Sequence, residues 1–96
     1  MAGKRFVVMV GDIEPVDQDR VTEYLKGKVG WWHHLPFSWL VASSDEAMTS
    51  KSLRDGVRTA VPGGDVLVVE LGAGSDWAIW GPVSQADWLK RNWPHG

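Results

Sequence analysis

The chain has 96 residues, carries a formal net charge of −2, and is 44% hydrophobic and 23% charged. That length fits one domain spanning residues 1–96, the composition excludes disordered and collagen-like classes, and the charge balance excludes a global attraction to nucleic acid. Cysteine is absent, which excludes disulfide bracing, thiol catalysis and cysteine zinc sites, so packing alone must hold the fold. Seven tryptophans are the compositional exception. Each brings a large apolar area and one N–H donor, a combination that predicts an aromatic core or, failing that, a partner surface.

Met1 to Arg5 lead into the apolar run Phe6 to Val10, too short for a signal peptide or a membrane span. It therefore reads as a strand, and no membrane partner is expected. An all-apolar run bounded by Gly11 and Asp12 reads as a central strand covered on both faces. Next, Asp17 or a neighbour is placed to cap a helix running from 16–18 to 26. Val21, Tyr24 and Leu25 share one of its faces, and Gly27 ends it.

Aromatic and β-branched residues then predict a hairpin over about 29–35 and 38–43, with Pro36 at its turn. Alternation puts Trp32 and His34 on one face of the first arm and Trp31, His33 and Leu35 on the other, leaving open which face is core. Both faces of the second arm are apolar too, so one is expected against helices and the other against a partner subunit or the terminal segment.

Thr49 or Ser50 is a cap for a second helix, in which Leu53, Val57, Ala60 and Val61 recur at spacings of four, seven and eight before Pro62-Gly63-Gly64 stops it. Lys51, Arg54 and Arg58 form a basic row on another face. It reads as a solvated face with Lys51 paired to Asp55, or as a phosphate-contact surface. Val66 to Val69 with Leu71 read as a second buried strand, Gly72 to Asp76 as a turn, and Trp77 to Trp80 as a short partner strand. Gly72 and Gly74 lack the third glycine and the following helix of a dinucleotide fingerprint. Ser84 and Asp87 fit a variant capping box for a last helix around Trp88, Leu89 and Trp93, with Lys90 and Arg91 at its basic end. Two helices on one face of a four-stranded antiparallel sheet, ordered βαββαβ, make an α+β, ferredoxin-like sandwich with an extra short C-terminal strand and helix.

Candidate chemistry gathers at the end of the first strand. Asp12, Glu14, Asp17 and Asp19 offer hard oxygens to Mg²⁺ or Mn²⁺, although acids at a helix start also suit its dipole. His33 and His34 point to opposite faces, so at most one is expected to act as acid, base or phosphate donor; the alternative is a structural histidine beside a tryptophan. Ser38 lacks a nucleophile-elbow motif. Trp31, Trp32 and Trp39 form a candidate base-stacking platform that is not interleaved with lysine or arginine.

The frame Gly11-Asp12-Ile13, the run Trp31-Trp32-His33-His34-Leu35, Ser38-Trp39-Leu40-Val41, Leu53-Arg54-Asp55, and Asp76-Trp77-Ala78-Ile79-Trp80-Gly81 resemble the SinR-like family of small bacterial and phage proteins. That family is similar in fold to the CRISPR-adaptation small subunit and to VapD-type ribonucleases. The resemblance runs from Phe6 to about Trp80 and implies a ferredoxin-like fold, a homodimer built through the sheet and a cytoplasmic setting. In the nuclease relatives an aspartate ending the first strand holds a divalent metal for phosphodiester hydrolysis. Asp12 matches that position, but Gly11 stands where those relatives usually carry tyrosine.

Two functions follow as expectations. One is a dimeric metal-dependent phosphodiesterase with Asp12 and Glu14 on Mg²⁺ or Mn²⁺ and His33, His34 or Ser38 at the phosphate. The other is a non-catalytic dimeric module in which the tryptophan-rich hairpin and the terminal segment form the interface and the acidic rim meets a protein partner. Nucleic acid, or a small nucleotide held between subunits by stacking tryptophans and the Lys51, Arg54, Arg58 row, is a further candidate partner.

Overall fold

The computed structural model describes residues 3–72, 77–81 and 83–93. Its elements are β1 (Lys4–Gly11), α1 (Asp17–Leu25), β2 (Gly30–Leu35), β3 (Ser38–Ser43), α2 (Ser50–Ala60), β4 (Asp65–Leu71) and α3 (Val83–Asn92). The four strands form one antiparallel sheet in the order β2-β3-β1-β4, an α+β fold with three helices. Among the described residues no helix is long and apolar enough to cross a membrane.

β1 is apolar throughout because both of its faces are used. Phe6, Val8 and Val10 join Trp39 and Val41 of β3 under Val21 and Leu25 of α1 and Leu53, Val57 and Val61 of the α2 region. On the second face Val7 and Leu40 pack with a smaller cluster of Trp32, Leu89 and Trp93. Trp32 Nε1 donates to the Gln85 carbonyl at 2.8 Å, which fixes α3 against β2. The expected aromatic core is present: Trp32, Trp39 and Trp93 are buried, whereas Trp80 is fully exposed.

α2 begins on a reciprocal capping box between Thr49 and Ser52, with both hydrogen bonds at 3.0 Å. Gly56 lies where α2 meets α1; a Cβ there would overlap the Tyr24 ring. The helix propensity forgone at Gly56 is therefore the condition for the two helices to approach.

Several expectations are corrected. Asp17 does not cap α1, whose N-cap is Val16 with no side-chain cap; its Oδ2 instead accepts from the Glu14 N–H at 3.1 Å. Ser84 is not a helix cap, because α3 already runs at Val83. The extra C-terminal strand is not formed at residues 77–80. Trp77 Nε1 donates to the Trp93 carbonyl, and Trp77 and Ile79 pack on the α3 cluster, so side chains rather than a backbone ladder seat this segment. The Gly72 to Asp76 turn lies largely outside the described residues.

Leu35 is not on the Trp31 face. The pairing shifts from Trp32↔Leu40 to Leu35↔Ser38, and this one-residue irregularity carries Leu35 to the other side of the sheet. β4, expected to be buried, is an edge strand paired only with β1, and its Leu67 and Val69 are 57% and 39% exposed.

Gly56→Ala is expected to lower stability by about 1–3 kcal/mol through overpacking against Tyr24, despite alanine's higher helix propensity. Gly63→Ala, where nothing lies within 4 Å of an added Cβ, is expected to stay within about 0.5 kcal/mol of wild type. Urea unfolding of the two variants checks the contrast.

Candidate functional site

β1 ends by delivering Asp12 into a left-handed backbone conformation (φ 57°), which aspartate tolerates better than most residues. The chain then turns through Ile13 and Glu14 into α1. Asp12, Glu14, Asp17 and Arg20 line one wall of an open groove, and the turn Val61 to Gly64 lines the other. Gly64 approaches Ile13 closely; a Cβ on it would lie 2.6 Å from Ile13 Cγ2, so glycine sets the width of this wall.

The groove's carboxylates are not equivalent. Asp17 is committed to the fold through the Glu14 N–H and through Arg20 Nη1 at 3.3 Å. The side chains of Asp12 and Glu14 have no hydrogen-bond or ion-pair partner among the described residues. Asp19 is exposed and does not line the groove. Among the described residues no group of three or more histidine, aspartate or glutamate side chains is close enough to hold a metal ion. Among the described residues lining the groove, Asp12 and Glu14 are the carboxylates left unengaged, so a cation there would take most of its coordination from water or substrate oxygens.

The hairpin residues His33, His34 and Ser38 do not line this groove. His33 stacks on Trp39 with ring centroids 4.1 Å apart and planes 8° from parallel. Its Nδ1 donates to the Ser38 carbonyl at 2.9 Å, because a carbonyl can only accept, and its Nε2 meets the Gln18 side-chain amide at 3.1 Å. Both ring nitrogens are engaged inside the fold. His34, on the opposite face, is exposed and meets Trp32 edge-on at 5.0 Å. Ser38 pairs with Met9 in the sheet and borders a shallow depression with Gly11, Phe37, Asp65 and Leu67, whose lining does not include Asp12. The structure does not bring Asp12, His33, His34 and Ser38 to one pocket.

Of the three tryptophans of the candidate stacking platform, Trp39 and Trp32 are buried and Trp31 packs against the main core. The basic row on α2 is exposed, but the expected Lys51–Asp55 pair is replaced by Arg54, whose Nη2 lies 2.7 Å from Asp55 Oδ1. The Arg54 guanidinium, hydrogen-bonded to Asp55, holds that carboxyl below its ordinary value.

Gln18, Thr22 and Arg20 were not singled out from sequence. Gln18 and Thr22, one turn apart on α1, reach His33 and Trp39, the latter through a 3.0 Å bond from the indole N–H to the Thr22 hydroxyl. Their spacing of four in a polar stretch of an amphipathic helix is the only signal that could have marked them.

Comparison with protein-family models, with curated proteins and with solved structures finds no match to this chain.

His33→Ala is expected to cost about 1–3 kcal/mol in urea unfolding, since it removes a stacked ring and frees two partners, whereas His34→Ala is expected to cost under about 1 kcal/mol. Arg54→Ala is expected to raise the Asp55 carboxyl titration seen by NMR. Because a depressed carboxylate contributes stability above its unfolded pKa and loses it as pH falls through the folded value, this pair supports the fold only on the neutral side of that range.

Proposed function

We propose that the chain is a SinR-like, ferredoxin-like variant that works in the cytoplasm as a dimeric interaction module. The strand-helix-strand-strand-helix-strand order with fully antiparallel pairing supports the ferredoxin-like part, α3 being an addition on the second face. The Gly11-Asp12-Ile13 strand end and the Trp31 to Leu35 run support the SinR-like part.

The observation that carries the module reading is the exposed apolar surface at the β4 side of the sheet. α3 and the Trp77–Ile79 segment cover the second face around Trp32, Leu40 and Val7, while Leu67, Val69, Phe37 and Leu35 are exposed. Leu35 lies on β2 at the opposite edge, so the patch at β4 consists of Leu67 and Val69 with Phe37 beside Leu67, and exposed apolar side chains of this kind favour association. The second apolar arm of the hairpin, expected to face a partner subunit or the terminal segment, is covered on both faces within the chain, and among the described strand residues the exposed large apolar side chains are Leu35, Leu67 and Val69.

A second reading, metal-dependent phosphodiester hydrolysis, is favoured by the unengaged Asp12 and Glu14 carboxylates in their groove. In it these two residues bind Mg²⁺ or Mn²⁺, which would polarise a phosphoryl oxygen. His33, His34 and Ser38 are not among the residues that line that groove, which is why the interaction reading is preferred.

Purified protein is expected to sediment as a dimer at micromolar concentration. It is expected to leave labelled RNA and DNA intact with Mg²⁺ or Mn²⁺, with Asp12→Ala indistinguishable from wild type. A monomeric wild type would overturn the module reading, and metal-dependent cleavage abolished by Asp12→Ala would establish the hydrolytic one.

A further inference from the structure

α1 lends two polar side chains to the hairpin, and they meet groups of different kinds. Thr22 accepts from the Trp39 indole, whose N–H can only donate, at 3.0 Å. Gln18 meets His33 Nε2 at 3.1 Å, and that nitrogen is an acceptor in the neutral ring and a donor in the charged one. The other ring nitrogen does not change its role. Nδ1 faces the Ser38 carbonyl at 2.9 Å and keeps its proton in both forms, so Nε2 is where the second proton is gained or lost.

The chemistry of Gln18 is matched to that change. A carboxamide carries an acceptor oxygen and a donor NH₂ on one planar end, and a half turn about its last side-chain bond exchanges them. With the oxygen inward it accepts from the charged ring; with the nitrogen inward it donates to the neutral one. Among the described residues the Gln18 carboxamide has no other hydrogen-bond partner, so the turn breaks no second bond. The residue is partly exposed, which leaves water to take the amide atom turned away. The face of Trp39, stacked 4.1 Å from the imidazole, serves either form, as an aromatic stack or as a cation–π contact.

We propose that Gln18 is a two-way adaptor whose carboxamide turns over with the charge of His33, keeping the hairpin latched to α1 in both protonation states of the ring. No ion pair among the described residues involves His33. β3 carries no titratable residue, and His34 of β2 lies on the opposite face. Of the charged residues of α1, Asp17 is turned to Arg20 and the Glu14 N–H, Glu23 pairs with Lys26, and Asp19 is exposed. The amide, rather than a neighbouring charge, thus couples the protonation of the ring to the fold.

Histidine side-chain nitrogen NMR of the wild-type chain, over about pH 5 to 8, reads the device directly. Nδ1 of His33 is expected to stay protonated throughout while Nε2 gains its proton as pH falls, and the Gln18 carboxamide signals are expected to shift with the same midpoint. Gln18 signals that stay fixed while the ring titrates, or a ring that holds one form across the range, would overturn the proposal. Unfolding gives an independent reading through His33→Phe, which keeps a stacked ring without its nitrogens, made both in wild type and in Gln18→Glu. A carboxylate only accepts, so in Gln18→Glu the contact belongs to the charged ring alone, and its contribution is lost as pH rises. From low to high pH, the ratio of folding constants with and without His33 is expected to fall at least about tenfold further in the Gln18→Glu background than with Gln18. An equal pH dependence in the two backgrounds would show that the amide does not govern the latch, and the proposal would fail.

Discussion

Trp39 is the interaction on which the rest of the chain depends. It is fully buried, lies opposite Val8 of the central strand, carries His33 stacked on its ring, and donates its indole N–H to Thr22 of α1. One side chain thus joins β1, β2, β3 and α1. Burying so large a ring stabilises the fold by several kcal/mol only because its single polar atom finds a partner. The histidine beside it is correspondingly committed, with one nitrogen on the Ser38 carbonyl and the other on Gln18. A residue type that suggests chemistry near neutral pH is used here to lock a hairpin to a helix.

A sheet with two helices on one face must still cover the other, and the chain does so unevenly. α3 and the Trp77–Ile79 segment sit over Trp32, Leu40 and Val7, while the β4 side carries Leu67 and Val69 in the open. The acidic groove occupies a different part of the surface, between the end of β1 and the turn after α2. Its Asp17 is neutralised by Arg20, so the groove is less acidic than its sequence. The exposed apolar side chains of β4 and the acidic groove therefore involve different residues, and each can be altered without touching the other.

Much of this was legible in the residues. The alternation and aromatic content of the hairpin place β2 and β3 within a residue of their observed bounds, and Thr49 with Leu53 and Val57 places α2. β1 reads as central because apolar residues on both faces require cover on both faces, and it has that cover. The same argument misplaces β4: Val66 to Val69 is as apolar as β1, and only pairing reveals that it has one neighbour. Leu35 is misplaced by a bulge to which period-two alternation is blind. Trp77 to Trp80 has strand-like composition but is held by tryptophan contacts distant in sequence. The grouping of Asp12, Glu14 and Asp17 was readable, whereas the opposing Val61 to Gly64 wall was not, since it depends on how α2 returns to the sheet.

The central proposal is that the chain associates with a second copy through the exposed β4 side of its sheet. Amide hydrogen exchange measured over a wide range of protein concentration tests it most directly. The account predicts that protection of the β4 amides, Val66 to Glu70, rises with concentration as that side is covered, while protection in β3 stays constant. Protection of β4 that is independent of concentration, in a protein shown by light scattering to change from monomer to dimer over the same range, would contradict it.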